Sequence, residues 1–382
     1  MKKIAIFHPV DDRYGASKIL AYVLSFLSQE YQCDVYIPNL THEIDSTLRE
    51  LSENNDKVNF IEFPSAPLVH RGMYSLKGLI NWVKQNGQAY TFLKKNRNKY
   101  AAVYINTVAL FSIALICKLL RIRNIVHCHE YLKGSVYGEV IRKVVLFSAD
   151  RIICVSNKVA SYIGASRKVD VVHNGIPDIE HHHLPIVSDY IDGHMNFAMV
   201  GRVMPEKGQW FLCDAVKAIP HELLRNIKIH VYGDAPPTRP HLFAEFRELV
   251  VQSKLSEVFV LHGFDSQASQ KAATLDVCVI PSMMVDPFPT TVIEGLRAAK
   301  VVLTTDNGGA SEIIKDKVNG FLIKHGDVEN FSHVLSSLIK LDHEEIKNIQ
   351  SQARLTYELN FTIKKFQERF ESVFKRFVQN ND

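Results

Sequence analysis

Acidic residues are missing from one long internal stretch. Between Glu62 and Glu130 the chain has no Asp or Glu, while ten basic residues fall there: Arg71, Lys77, Lys84, Lys94, Lys95, Arg97, Lys99, Lys118, Arg121 and Arg123. In a chain of formal net charge +4, a segment of one sign favours an anionic partner. Three readings fit it: a solvated helical face, adsorption to anionic lipid headgroups at about 1 kcal/mol per nearby cation, and nucleic acid. The last lacks an aromatic-interleaved basic motif or a recognition helix. Cysteine is sparse too. The six, Cys33, Cys117, Cys128, Cys154, Cys213 and Cys278, form no C-x-x-C pair and mostly sit in apolar runs such as RIICV, which suits reduced, buried thiols in a reducing cytosol. Long hydrophobic runs are absent: VALFSIALICKLL, residues 108–120, carries Lys118 and falls short of the roughly 20 residues a bilayer span needs, so a buried helix is expected. The short apolar run of the N-terminus, MKKIAIF, is too brief for a secretory signal. No G-x-G-x-x-G and no strong D-x-D metal motif occurs.

What is present is an alternation. A chain of 382 residues exceeds what one core usually organises, so two domains are expected. KIAIFHP, CDVYIP, KVNFIEF, AAVYIN, NIVHCH, RIICVS and VDVVH read as strands, several separated by helical periodicity such as ASKILAYVLSFLSQEY. HNGIPDIEHHHLPIVSDYIDGH, residues 173–194, breaks the rhythm and reads as an interdomain linker. A second alternation follows: NFAMVG, IKIHVYG, VFVLHG, DVCVIP, VVLTT and GFLI as strands, with helices including QWFLCDAVKAI and TVIEGLRAA. Apolar strands alternating with helices argue two α/β domains with parallel sheets. From Phe361 the tail, FTIKKFQERFESVFKRFV, is an amphipathic helix with aromatics at helical spacing. The expected division is 1–175, 176–360 and a C-terminal helix 361–382.

In open α/β sheets ligands bind beyond the carboxyl ends of strands, where helix N-termini offer free amides. Three loops there are candidates. Gly15-Ala16 opens a helix after the first strand, where small residues allow close approach of a phosphate or sugar, although a tight turn explains them equally. Arg202 and Lys207, in GRVMPEKG, place two cations where they can converge on one anion such as a diphosphate. In IPSMMVDPFPTTVIEGLRAA, residues 280–299, Pro287 and Pro289 keep Asp286 in a loop, while Glu294 lies in the first turn of a helix. A capping box, Thr291-x-x-Glu294, accounts for that glutamate without any ligand.

Together these loops resemble glycosyltransferase family 4 (GT4), retaining enzymes of the two-domain GT-B fold. The resemblance rests on PSMMVDPFPTTVIEGLRAAKVVLTTDNGGASEIIKDKVNGFLI, residues 281–323, in place of the family's E-x7-E segment with its following double glycine. GRVMPEKG, HNGI at the domain junction, VYGDAP with Gly233, and HGF at 262–264 add to it. The resemblance implies two Rossmann-like α/β domains with parallel sheets facing across a cleft, and a C-terminal helix returning to the N-terminal domain. It implies that Arg202 and Lys207 hold the donor diphosphate, and that Glu294 accepts hydrogen bonds from the ribose. Backbone amides of Phe288, Thr290, Thr291 and Val292 would meet the sugar or β-phosphate, and Phe264 would lie near the base or else in the core. His129, at the end of an N-domain strand, would approach the donor sugar; strand alternation turns His127 into the sheet, unless the strand runs on to 129 and gives both the same side. Asp286 stands where the family has its first glutamate, one methylene shorter, which leaves the donor sugar open. No metal site is expected, the triplet His181-His182-His183 having no accompanying carboxylate or cysteine spacing; the nucleotide sugar, a UDP-sugar by preference, is a substrate. The implied reaction is front-face transfer with retention to a glycan or lipid-diphosphate-linked acceptor, in polysaccharide or lipopolysaccharide assembly. The implied place is the cytoplasmic face of the membrane, bound peripherally to anionic lipid, with nucleic acid not a partner. A nucleotide-sugar 2-epimerase of the same architecture, or a glycosyltransferase-like subunit without activity, is the alternative.

Overall fold

The structure is a computed structural model that describes residues 2–10, 15–39, 48, 55–69, 75–179 and 194–379. They fall into two units, Met1–Asn174 with Ile363–Asp382, and Gly175–Thr362. The His181-His182-His183 triplet lies outside the described residues.

In the first unit β1 (Lys3–Phe7), α1 (Gly15–Leu27), β2 (Gln32–Ile37), β3 (Val58–Glu62), α2 (Leu76–Lys95) and β4 (Ala102–Ile105) lead to α3 (Phe111–Leu120) and β5 (Asn124–Cys128). Then follow α4 (Val136–Ser148), β6 (Arg151–Cys154), α5 (Asn157–Ile163) and β7 (Val169–Val171). The second unit comprises β8 (Met195–Val200), α6 (Gln209–Lys217), α7 (His221–Leu224), β9 (Ile227–Tyr232), α8 (Leu242–Gln252), β10 (Phe259–Gly263) and α9 (Ala268–Ala272). It continues with β11 (Val277–Ile280), α10 (Thr290–Arg297), β12 (Val301–Thr305), β13 (Phe321–Ile323), α11 (Val328–Leu338) and α12 (His343–Asn360), and the chain returns to the first unit as α13 (Ile363–Gln379).

Both sheets are parallel, in the orders β3-β2-β1-β4-β5-β6-β7 and β10-β9-β8-β11-β12-β13. Their central strands are apolar at consecutive positions because helices cover both faces; Ile4, Ala5, Ile6 and Phe7 of β1 are all fully buried. The strand order reverses beside β1 and again beside β8, which makes the loops after those strands the ligand-binding positions of a doubly wound sheet. Residues 108–120 form a short 3-10 turn, Val108–Leu110, and α3, with Ile113, Ala114 and Cys117 fully buried. Among the described residues no helix is long and apolar enough to cross a membrane. All six cysteines are buried and unpaired.

The C-terminal helix belongs to the core of the first unit. Its buried residues, Phe366, Phe370, Val373, Phe374 and Phe377, recur at three- and four-residue spacing, which puts them on one stripe. Phe366 meets Phe26 of α1 at 5.5 Å between ring centroids, and Phe370 meets Tyr104 of β4 at 6.1 Å. Arg123 lies over the Phe377 ring at 5.0 Å and donates to the Val378 carbonyl.

Truncating a fully buried phenylalanine typically costs about 3–5 kcal/mol. Phe370→Ala should therefore lower the urea midpoint of the first unit strongly while sparing the second. The two tryptophans allow the comparison, Trp82 lying in the first unit and Trp210 in the second. With Trp210→Phe as background, fluorescence reports the first unit alone; an unchanged midpoint would show that α13 is an appendage.

Candidate active site

In the second unit three loops at the carboxyl ends of strands are pressed together. The loop after β8 ends in a 3-10 turn, Pro205–Lys207, and Gly208 then starts α6 with φ of 95°. A Cβ at Gly208 would stand 1.8 Å from the Pro281 carbonyl oxygen, so glycine is required there both by the left-handed backbone and by contact with the loop after β11. The Glu206 carbonyl accepts from the amides of Met283 and Met284, each at 3.0 Å. The loop after β12 closes from the other side. Gly308, at φ of 111°, lies so near Asp286 that a Cβ would be 2.1 Å from its carbonyl oxygen, and the Gly309 amide donates to that oxygen at 2.8 Å. The double glycine is thus explained by the approach of two backbones.

This clamp sets Lys207 against Asp286, with Nζ to Oδ2 at 3.1 Å. Both side chains are partly exposed, and such a pair contributes about 1 kcal/mol or less to stability, so its consequence is placement. Expected to converge with Arg202 on an anion, Lys207 pairs in the structure with the carboxylate of Asp286, whose shorter side chain reaches it. The Arg202 carbonyl accepts from Gln209 Nε2 at 2.9 Å, and its own Nε is buried.

Glu294 does not cap its helix. The N-cap of α10 is Pro289, without a side-chain capping bond, and Glu294 Oε2 accepts instead from Ser269 Oγ of α9 at 2.8 Å. The capping-box explanation therefore fails, and the carboxylate is turned toward α9. Beside it a small open pocket of about 20 Å³ is lined by Ala198, Val200, Ser269, Ala272, Cys278 and Gly295, among others, small side chains that leave the space between α9 and α10. Thr290 and Thr291 begin α10, where first-turn amides have no intrahelical acceptor. The Val292 amide departs from expectation, since it donates to the Pro289 carbonyl at 3.2 Å and is occupied within the turn. Phe288 is buried against Phe361 at 5.9 Å and anchors the loop. Phe264 is 60% exposed, which removes the core reading of that ring. The Gly233 amide is likewise engaged, donating to the Gly263 carbonyl at 2.7 Å.

In the first unit Gly15 opens α1 with clear space where a Cβ would stand, and the Ala16 carbonyl accepts from Asn106 Nδ2 at 3.3 Å. Around Asn106 lies a polar cluster at the carboxyl ends of β1, β4 and β5. Asn106 contacts His8 Nδ1 at 3.0 Å, His129 Nε2 at 3.0 Å and Tyr104 Oη at 3.2 Å. His127 is fully buried and bonded through Nδ1 to Tyr104 Oη at 2.6 Å, its ring 4.1 Å from that of His129; it faces inward, as strand parity suggests. Glu130 accepts from Thr107 Oγ1 and from the amides of Val108 and His129, so it caps the 3-10 turn at Val108. Burial pushes the Glu130 carboxyl up, against the pull of these donors. Burial holds His8, with His129 adding to it, down at about 3, and holds His129 at about 3 as well. Both imidazoles are neutral at pH 7.

Not every cation of the acid-free stretch is available to a partner. Lys99 pairs with Asp34 at 2.9 Å, and Arg123 is taken up by α13. Lys77, Lys84, Lys94 and Lys95 lie on α2, whose Leu76, Leu79, Ile80 and Val83 are 47% to 77% exposed; these positions, spaced by three and four, form one apolar stripe. Arg71 is outside the described residues. Among the described residues no group of three His, Cys, Asp or Glu side chains is arranged to hold a metal ion. Strand-end position alone could have found Asn106, which follows β4; Ser269 has no comparable signal.

Comparison with known proteins gives a consistent picture. Residues 15–179 match the profile of "Glycosyltransferase Family 4" and residues 192–356 that of "Glycosyl transferases group 1". An uncharacterised glycosyltransferase of Methanocaldococcus jannaschii is 28% identical over 61% of this chain and 62% of its own length. A lipopolysaccharide 1,2-N-acetylglucosaminetransferase of Salmonella typhimurium is 24% identical over 46% of this chain and 48% of its own. A UDP-Gal:α-D-GlcNAc-diphosphoundecaprenol α-1,3-galactosyltransferase of Escherichia coli is 22% identical over 41% and 38%. The matches thus span less than two thirds of each of these relatives. In fold, an Anabaena protein crystallised with UDP and glucose superposes with a TM-score of 0.78 at 18% identity, covering 98% of this chain and 100% of that one. A lipopolysaccharide outer core galactosyltransferase superposes at 0.74 and 16% identity, covering 98% and 99%.

The depressed imidazoles of His8 and His129, with His127 also held down by burial, make acid stability a readout of the first-unit cluster. A histidine near its ordinary value of about 6.5 when unfolded binds more protons in the unfolded chain than in the folded one between that value and about 3. Stability then falls as pH falls through this window, by at most about 1.4 kcal/mol per pH unit for each ring. In the Trp210→Phe background, the urea midpoint of the first unit should drop between pH 7 and pH 5, and less steeply in His8→Asn; a midpoint independent of pH would show that these rings protonate freely.

Proposed function

The chain belongs to the family 4 glycosyltransferases and has their two-domain GT-B fold, and from this premise we propose that it moves a sugar from a UDP-sugar to a hydroxyl of a glycan or lipid-linked acceptor with retention at the anomeric carbon. The observation that carries the reading is the glycine-clamped meeting of Lys207 and Asp286, 79 positions apart in sequence and 3.1 Å apart in space, together with a Glu294 carboxylate that is turned to Ser269 and not to the start of its helix.

On this reading a diphosphate takes Lys207 from Asp286, and Arg202 adds a second cation. Their charge, with the first-turn amides of Thr290 and Thr291, meets the negative charge that grows on the nucleotide as the glycosidic bond breaks. No resident metal is assigned a part. Asp286, released, is free to meet a hydroxyl of the donor sugar. Glu294 receives the ribose hydroxyls at the edge of the pocket beside α9, and Phe264 offers an exposed ring to the base. His129, at the strand ends of the first unit, is assigned to a sugar hydroxyl, and that unit to the acceptor. Retention without a protein nucleophile follows if the leaving phosphate accepts the acceptor proton on the same face.

The lipid-linked acceptor draws support from the relatives that act on lipopolysaccharide and on a diphosphoundecaprenol-linked sugar. It draws more from α2, where an exposed apolar stripe runs beside four lysines with no acid. Such a helix suits insertion into the headgroup region of an anionic membrane at the cytoplasmic face. Polysaccharide or lipopolysaccharide assembly is the setting proposed.

A ligand at 100 times its dissociation constant stabilises a protein by about 2.7 kcal/mol. Among UDP, GDP, dTDP and ADP, UDP should raise the melting temperature most, and Lys207→Ala should abolish that shift; an unchanged shift would remove the phosphate assignment. Chromatography of UDP-sugar incubated with acceptor should show free UDP and glycosylated acceptor, whereas an epimerised donor or an intact one sinks the transfer reading. Cosedimentation with anionic vesicles at low salt should exceed that with neutral ones, and Leu79→Glu with Ile80→Glu should abolish it. Equal binding to both vesicle types ends the membrane proposal and leaves the transfer reading in place.

A further inference from the structure

The Asn106 amide reads out the protonation of the rings on either side of it. Its Nδ2 faces the Ala16 carbonyl at 3.3 Å, and a carbonyl only accepts, so that end of the amide is the donor. The same nitrogen faces His8 Nδ1 at 3.0 Å. His8 Nδ1 is therefore bare, and the neutral ring carries its proton on Nε2, which donates to Ser17 Oγ at 2.9 Å. The Ser17 hydroxyl in turn faces the Val10 carbonyl at 3.5 Å. At the other end Oδ1 offers only lone pairs. His129 Nε2, 3.0 Å away, must then carry a proton, and Tyr104 Oη lies against the same oxygen at 3.2 Å.

Two backbone carbonyls thus fix the direction of a chain that runs through Ser17, His8 and Asn106 to His129. A neutral imidazole with its proton on Nε2 has a bare Nδ1. That nitrogen has no hydrogen-bond partner among the described residues, and His129 keeps part of its surface open. Its neighbour His127 is fully buried, so His129 is the ring of the pair that a ligand can reach. Glu130, which could otherwise compete for the ring, is occupied by Thr107 and two backbone amides.

We propose that Asn106 is a positioning residue that holds His129 in the Nε2–H tautomer, so that His129 presents a bare Nδ1 as a hydrogen-bond acceptor to a sugar hydroxyl at the carboxyl end of the first unit's sheet. The tautomer follows from the network alone; the hydroxyl partner rests on the glycosyl-transfer reading. His129 is accordingly an acceptor for a sugar hydroxyl and is unsuited to donate from Nδ1 to a phosphate oxygen. This separates its work from that of Lys207 and Arg202.

Nitrogen-15 NMR of ring-labelled histidine in the full chain at pH 7, with His129 assigned by its loss in His129→Gln, tests both parts. The expected spectrum gives His129 a protonated Nε2 and a pyridine-type Nδ1. A proton on Nδ1, or on both nitrogens, overturns the proposal whatever the variants do. Asn106→Asp replaces the amide donor with a negative acceptor, and the His129 titration should move to higher pH; a folded variant with an unmoved titration also overturns it. Adding UDP-glucose should shift the His129 Nδ1 resonance. A shift caused equally by UDP alone removes the sugar contact, while a bare Nδ1 in a chain that binds neither compound leaves the tautomer assignment standing and sinks the donor reading.

Discussion

The site in the second unit depends on how closely three backbones can approach. The loops after β8, β11 and β12 touch at points where no side chain fits, Gly208 against Pro281 and Gly308 against Asp286. Because the contact is between main chains, it holds the loops in register without relying on flexible side chains. The ammonium of Lys207 and the carboxylate of Asp286 are brought together as a result. A pair this exposed adds little to stability, yet it keeps a cation in place and a carboxylate from drifting. On the proposed reading this prepares the site for an anion, since the charges are oriented by the fold before binding.

The first unit works on a different principle. At the carboxyl end of its sheet the groups are buried, neutral and joined by directional hydrogen bonds. Burial favours the uncharged imidazole, and a hydrogen-bond chain anchored on carbonyls decides which nitrogen keeps the proton. The two units thus carry different chemistry at their strand ends: an ion pair held by close backbones in the second, and buried, neutral, oriented groups in the first. Both collections stand at strand ends beside a reversal of strand order, where a doubly wound sheet leaves its loops splayed.

Strand positions are legible from sequence because parallel strands buried on both faces are written as short apolar runs, and each of the thirteen runs read as a strand forms one among the described residues. The aromatic stripe of α13 is legible for the same reason, periodicity being a local property. Pairings made by topology are not. Nothing in the spacing of Lys207 and Asp286 announces that one holds the other, and Thr291-x-x-Glu294 has the form of a capping box although Glu294 turns to Ser269. Val292 shows the same limit on a smaller scale: its amide lies in the first turn, as expected, but the turn closes on Pro289 and consumes it. Asn106 escapes a reading of the sequence because a single asparagine after a strand carries no motif, and its importance lies in what it joins, residues from β1, α1, β4 and β5.

The most direct test of the central claim is a crystal structure of the chain with UDP bound. The expected result is a diphosphate oxygen within hydrogen-bond distance of Lys207 Nζ, the Lys207–Asp286 bond opened or shared, and the ribose at Glu294. A diphosphate bound elsewhere, with Lys207 still held by Asp286 at 3.1 Å, would contradict it.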